Sequence, residues 1–338
     1  MSEVDGVYKE LVEEVLVDGQ YKPNRTGVDT ISKFGVNYTI DNSEGFPLLT
    51  TKKMDGYRWD SMLHELLWYL SGEEHVSNLK EKTGIWESWS DENDMLESAY
   101  GRFWRRYPYP DRGFEGEAWA DPSKNDNVNY EGMYEEGQYT FDQLGHVIDN
   151  IKKNPNSRRH VISAWHPVNA AVSKLPPCHL LFVFNVQSGD TLNLHLTQRS
   201  GDIALGVPFN ISCYSLLQRI VAQETGLKVG NFNHTIVDAH IYCGEGGRGE
   251  WYDHNWEDIA REVYWDNHDM VRNDIEDKTP EDPDNYDHVP GLLKQIKREP
   301  YNSPSIEIAN KPMDELEYED FELQDYESHK GIKFNVAE

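Results

Sequence analysis

No window of the sequence approaches the ~18 consecutive apolar residues that a membrane-spanning helix needs. Residues 1–15, MSEVDGVYKELVEEV, lack the basic stretch followed by an apolar one that marks a secretory leader. Cysteine is scarce. Cys178, Cys213 and Cys243 are too few and too scattered for a disulfide framework or a cysteine-rich zinc site, so a cytoplasmic protein without a structural metal is expected. Basic residues are scarce too: 32 Lys and Arg face 60 Asp and Glu, a formal net charge of −28. That balance disfavours nucleic acid as a partner, and the missing apolar run disfavours a membrane.

Self-repulsion at this charge destabilises a compact state in dilute buffer. Molar salt shortens the Debye length to about 3 Å and removes most of that cost. The acidic excess is spread along the whole chain, as a solvated surface would be, which predicts a salt-rich cytoplasm rather than an acidic docking segment. The 38% hydrophobic and 12% aromatic content of the 338 residues excludes disorder and suffices for a large core.

Apolar periodicity predicts helices over 4–17, 59–70, 73–82, 141–153 and 208–224. Strands are expected over 29–40, 159–165, 179–186, 191–198 and 232–242, with a hairpin at Gln187-Ser-Gly-Asp190. No repeat or low-complexity linker divides the chain. Two stretches break the pattern: 111–138 is rich in Gly, Asp, Glu and Asn, and 244–287 holds fifteen acidic against four basic residues. Both read as acidic surface insertions, the second as a solvated loop, on a single domain spanning 1–338.

Several segments carry chemistry. In Leu175-Pro-Pro-Cys178-His179 two prolines stiffen the backbone before a thiol, the fixed trajectory a nucleophile needs. Nearby arginines would lower that thiol's pKa, whereas Cys213, mid-helix among apolar residues, reads as inert. Arg158-Arg159, Gln198-Arg199-Ser200-Gly201-Asp202 and Arg25 offer guanidinium forks for a dianion in an otherwise acidic chain. Asn210, just inside a helix start, can pair with a base edge that sets a carbonyl beside a ring N–H. His240 and Tyr242, two apart on a strand, share a face. Glu65 falls on the apolar side of its helix, where burial raises a carboxyl pKa and makes an acid–base group. His64-Glu65-Leu-Leu-Trp68 is not a zinc-protease motif, since Trp68 stands where a second histidine is required. Gly244-Glu-Gly-Gly-Arg-Gly249 matches a dinucleotide-binding fingerprint in letters, but no apolar strand follows to complete a βαβ unit.

Taken in order, these segments resemble the thymidylate synthase family. Leu175–His179, Gln198–Asp202, Leu205-Gly-Val-Pro-Phe-Asn210 and Asp238-Ala-His-Ile-Tyr242 stand in the family's order and spacing. Arg25-Thr-Gly27, Phe46-Pro-Leu-Leu-Thr-Thr-Lys52, His64–Trp68, Ser157–Arg159, Arg298-Glu-Pro300 and Gly331-Ile-Lys333 extend the match.

The resemblance implies an α+β fold, a mixed sheet flanked by helices, with one sheet face forming a homodimer interface. It implies reductive methylation of dUMP, with 5,10-methylenetetrahydrofolate as co-substrate and no metal. By this analogy Cys178 attacks the pyrimidine, with Glu65, Tyr100, Asn210 and Asp202 as further catalytic groups. The nucleotide would be held by Arg25, His179, Gln198, Arg199, Ser200, Gly201, Asp202, Asn210, His240, Ile241 and Tyr242, with Arg158 and Arg159 supplied by the partner subunit. Folate would lie against Trp86, Asp202, Leu205, Gly206, Phe209 and Ala337, under a tail that folds over it. The segment 53–59 is longer than the family's, so the folate contact sought there is not fixed by the resemblance, and Arg58 is a candidate for it. A hydroxymethylase of the same fold, quenching the intermediate with water, is the nearest alternative.

Overall fold

The computed structural model describes residues 2–108, 128–131 and 138–336. Helix α1 (Glu3–Asp18) leads into β1 (Gln20–Lys22), β2 (Val28–Asp41), α2 (Tyr57–Ser71), α3 (Ser77–Lys80) and α4 (Tyr100–Arg105). Then come β3 (Tyr107–Pro108), β4 (Val128–Glu131), β5 (Gln138–Phe141), α5 (Gln143–Lys153), β6 (Val161–Ser163), α6 (Pro167–Val172), β7 (His179–Gln187) and β8 (Thr191–Asp202). They are followed by α7 (Gly206–Thr225), β9 (Lys228–Glu245), α8 (Gly247–Tyr264), α9 (His268–Lys278), α10 (Val289–Ile296), β10 (Ser305–Ile308) and β11 (Phe321–Gln324).

Six strands form one mixed sheet in the order β1-β2-β9-β8-β7-β6. Its neighbours are antiparallel except β8 and β9, which run parallel. Parallel neighbours need a long crossover, and α7 supplies it. That helix is buried on nearly every side, through Ile211, Tyr214, Leu216, Leu217, Ile220 and Val221 among others, and Gly226 at φ +69° closes it. It is the centre of the core. α2 packs between α7 and α4. The close α2–α4 approach requires Gly101, where a Cβ would come within 2.4 Å of the Tyr69 carbonyl oxygen.

The sheet carries one feature that makes a site possible. Along β9 the buried positions alternate through Phe232, His234 and Ile236, then resume one step out of phase at Ala239, Ile241 and Cys243. β8 shows the same break at Arg199-Ser200, and Ser200 pairs with Asp238. Because side chains alternate along a strand, the shared change of phase sends Gly201, Ala239 and Ile241 into the core. Ser200, Asp202, His240 and Tyr242 are left facing the cleft described below.

Three expectations change. The helix over 73–82 shrinks to α3, because Glu74 and Val76 pair through their backbones with Leu96 and Asp94 instead. The strand over 159–165 shrinks to β6, as His166-Pro167 turns the chain into α6. The stretch 244–287 is not a solvated loop. It forms α8 and α9, which bury Tyr252, Trp256, Ile259, Val263, Val271 and Ile275. Its apolar residues recur at helical spacing between exposed acids such as Asp253, Glu257 and Asp258. α8 lies on α1, β1 and β9, and the Trp256 indole N–H donates to the Gly19 carbonyl at 3.0 Å. At the α8–α9 turn, buried His268 stands between Asp266 (3.3 Å) and Glu13 of α1 (3.7 Å). α8 leads into α9 and not into a parallel strand, so the glycine-rich 244–249 opens no βαβ unit. The stretch 111–138 falls almost wholly outside the described residues. Among the described residues no helix is long and apolar enough to cross a membrane.

Candidate active site

A cavity of about 520 Å³ opens where β8 and β9 change phase, roofed by α2 and α4 and floored by the start of α7. Fifteen of the residues singled out in the sequence line it. They are Arg25, Glu65, Trp86, Tyr100, Cys178, His179, Gln198, Arg199, Ser200, Asp202, Leu205, Gly206, Asn210, His240 and Tyr242.

Cys178 precedes β7, and its backbone N–H donates to the Tyr100 hydroxyl at 2.8 Å. Arg199, on the adjacent strand, donates from Nε to the Pro177 carbonyl at 3.0 Å and from a terminal nitrogen to the Pro176 carbonyl at 2.7 Å. The prolines therefore do more than stiffen the loop, since their carbonyls hold a guanidinium beside the sulfur. Burial pushes the Cys178 thiol up, with Arg199, the Tyr100 hydrogen bond and Arg25 pulling it back. Within the single chain desolvation outweighs the arginines, so the sequence-based expectation of a lowered pKa is reversed in sign. A substrate anion and further cations would act on a thiol already poised between these effects.

Glu65 accepts from the Tyr69 hydroxyl at 2.6 Å and the Trp86 indole N–H at 2.8 Å, both on Oε1. Burial raises its carboxyl to about 7 despite those two donors. His179 stacks on Tyr100 with ring centroids 4.6 Å apart and hydrogen-bonds the Tyr214 hydroxyl at 3.1 Å. Burial drops its imidazole to about 4, which keeps it neutral at physiological pH. Asn210 donates to Gln198 Oε1 at 3.1 Å, while Gln198 donates to the Ser200 carbonyl at 2.8 Å. His234 meets the same Gln198 oxygen at 2.9 Å. The Asn210 amide is thereby fixed before any ligand arrives. Asp202 accepts from the backbone N–H groups of Ala204 (2.9 Å) and Leu205 (3.2 Å), shaping the turn into α7. The His240 and Tyr242 rings meet edge to face at 5.3 Å.

The remaining predicted residues do not line the cavity. Gly201 and Ile241 face the core: a Cβ on Gly201 would meet Ile236 at 3.0 Å and Val207 at 3.1 Å, so both contribute backbone only. Phe209 packs half-buried against the core. Arg158 and Arg159 are exposed ahead of β6. Arg58 is absent from the lining, and Ala337 lies outside the described residues.

Several lining residues were not singled out. Tyr69 lies one helical turn from Glu65, and Asp238 opens the Asp-Ala-His-Ile-Tyr segment. Trp89 edges Trp86 at 5.8 Å. Lys174 donates to the Ser90 carbonyl at 2.8 Å, and Lys22 is paired with Asp238. With Arg25 and Arg199 these lysines set four cations around one cavity of a strongly acidic chain. Lys52, quoted only as part of a motif, is buried beneath the site. It donates to the Ala204 carbonyl at 2.6 Å, and desolvation lowers its ammonium to about 7.

Such a cavity can take an anionic ligand bearing a flat polar ring, and offers that ring a thiol, a carboxyl raised to about 7 and a fixed amide. The sequence model of the family described as thymidylate synthase matches residues 6–338. A curated protein of Haloferax volcanii named thymidylate synthase is 55% identical over 340 residues, covering 97% of this chain and 96% of its own length.

Proposed function

The chain belongs to the thymidylate synthase family, and from that premise we propose the roles of its residues in converting dUMP to dTMP. It is a methyltransferase of nucleotide biosynthesis. 5,10-Methylenetetrahydrofolate supplies both the carbon and the hydride and leaves as dihydrofolate. The Cys178 thiolate adds to C6 of the uracil, which makes C5 nucleophilic enough to attack the folate methylene carbon. The C5 proton is then lost, tetrahydrofolate is eliminated, and hydride transfer to the exocyclic methylene expels the thiolate and releases dTMP.

The observation that carries this reading is Arg199, folded onto the Pro176 and Pro177 carbonyls beside the half-buried thiol. In that position it serves the sulfur and a phosphate together. Arg25 and Ser200 complete the phosphate site, Asn210 reads the uracil edge, and His240 and Tyr242 take the sugar hydroxyl. Glu65, close to neutrality with Tyr69 and Trp86 on one oxygen, organises proton transfer, with Tyr100 near the C5 proton. Asp202 and Trp86 face the pterin.

A homodimer fits the exposed face of the sheet, where Leu181, Val183, Thr197, Thr235 and Val237 are only half-buried. Exposed Arg158 and Arg159 would then cross to the partner's phosphate site. A cytoplasm rich in salt suits the charge of −28.

Incubation with dUMP and methylenetetrahydrofolate in molar KCl, following dihydrofolate absorbance and identifying the nucleotide, tests the reading. The expected products are dTMP and stoichiometric dihydrofolate. Hydroxymethyl-dUMP without dihydrofolate would replace it with the hydroxymethylase.

A further inference from the structure

Residues 332–336 run between two cavities. Val336 lines the cleft. On the other side Ile332, Lys333 and Phe334 line a separate cavity of about 600 Å³, walled by Arg248 of α8, Arg272 of α9 and Lys294 of α10. At the edge of this cavity Phe334 is buried and Ile332 packs against the core. The hydrogen bonds of the segment converge on residues 284–288.

Asn285 Nδ2 donates to the Lys333 carbonyl at 2.8 Å, and Asn335 Nδ2 donates to the Asp284 carbonyl at 2.5 Å. The Asn335 N–H reaches the Asn285 carbonyl at 3.4 Å, and His288 Nε2 meets the Asn335 carbonyl at 3.0 Å. Phe334 rests on the His288 ring at 5.0 Å, in a seat that exists because Gly291 has no side chain: a Cβ there would stand 2.5 Å from the Phe334 ring.

The 284–288 segment is in turn fixed by α8. The Asp287 side chain is fully buried and accepts from Arg248 Nε at 2.7 Å and from the Tyr252 hydroxyl at 2.9 Å. Arg248 also donates to the Pro280 carbonyl at 2.6 Å. His288 follows directly, its backbone N–H donating to the Tyr242 carbonyl at 2.9 Å and its ring edge to face with Tyr242 at 5.5 Å.

We propose that α8 is a strut for the segment that covers the cleft: the Arg248–Asp287 ion pair sets residues 284–288, which hold residues 333–336 in place through Asn285 and His288. Arg248, Asn285 and His288 are then positioning residues for the folate half of the reaction. The acidic stretch 244–287 thus serves the active site rather than the surface alone. The inference rests on the reading of the cleft given above.

Asn285→Asp replaces a donor by an acceptor facing the Lys333 carbonyl. The residue is half-buried in a turn at φ +53°, a conformation Asp tolerates, so the core is left alone. Amide exchange is read on the ligand-free protein in molar KCl, which shows the strut whatever nucleotide the enzyme turns over. Exchange at residues 332–336 should accelerate about fivefold, the effect of one lost hydrogen bond. The Michaelis constant for methylenetetrahydrofolate should rise by a similar factor while that for dUMP stays within about twofold. Arg248→Lys, which keeps the charge but cannot reach both Asp287 and Pro280, should move the same two quantities. Unchanged exchange at 332–336 in Asn285→Asp, acceleration spread evenly over the whole chain, or an equal rise of both Michaelis constants overturns the proposal.

Discussion

The Tyr100 hydroxyl accepts the backbone N–H of Cys178 at 2.8 Å, tying the thiol-bearing loop to α4. The same ring stacks on His179 and edges Trp86 at 5.9 Å. Tyr100→Phe leaves a buried N–H without its acceptor, which costs about 1–2 kcal/mol of stability. In the proposed mechanism it also removes the hydroxyl assigned to the C5 proton. Turnover should fall by about 10²-fold, with dUMP affinity changed far less. Steady-state kinetics beside equilibrium dUMP binding check this, and a wild-type kcat would remove Tyr100 from the chemistry.

Glu65 has its carboxyl raised to about 7 by burial, from an ordinary value near 4.5. The folded protein therefore holds this proton more tightly than the unfolded chain. The resulting stability is fully present below about pH 4.5 and is lost as pH rises through about 7. A shift of that size corresponds to about 3 kcal/mol. Gln cannot ionise but still accepts from Tyr69 and Trp86. Glu65→Gln should therefore gain stability over wild type progressively between pH 4.5 and 7 while losing turnover. Denaturant midpoints at pH 5 and pH 8 measure it, and a pH-independent difference would show that Glu65 does not titrate in this window.

Asn210 donates to a Gln198 oxygen that His234 also engages. Asn210→Asp places a second acceptor against that oxygen and removes the donor offered to the base carbonyl. kcat/KM for dUMP should drop by at least about 10²-fold, and preference should move towards dCMP. Unchanged selectivity between the two nucleotides refutes the base-reading role.

The charge of −28 makes stability depend on salt. Raising KCl from about 0.1 M to 1 M shortens the Debye length from about 10 Å to about 3 Å, so the thermal midpoint should climb with salt. A midpoint that is flat or falls over that range contradicts salt adaptation.

How much of this was legible in the sequence varies with the physics behind each element. α2 and α7 announce themselves, because apolar residues recur at helical spacing and Gly72 and Gly226 end them. α8 did not. Its fifteen-to-four acidic neighbourhood masks Tyr252, Trp256, Ile259 and Val263, a buried stripe at the same spacing. α3 fell short because residues 74–76 found backbone partners near Asp94, a long-range pairing no local propensity encodes.

The site shows the same division. Fifteen candidate residues meet in one cavity because ordered motifs carry that information. Gly201 and Ile241 were carried along by strand neighbours, and only the shared change of phase in β8 and β9 shows that they face inward. The sign of the Cys178 shift is not legible in the sequence, because charge is visible there and desolvation is not. Lys22 and Lys174 carried no motif, and only the fold brings them to the cavity wall.

In the proposed reaction one of three cysteines, Cys178, bonds covalently to a pyrimidine carbon. 5-Fluoro-dUMP carries fluorine where the C5 proton must leave, so with methylenetetrahydrofolate present the reaction should stop after carbon transfer. Intact-mass and peptide mass spectrometry should then find one nucleotide and one folate per chain, both on the peptide containing Cys178 and both absent in Cys178→Ala. An unmodified chain, or an adduct on Cys213 or Cys243, contradicts the account.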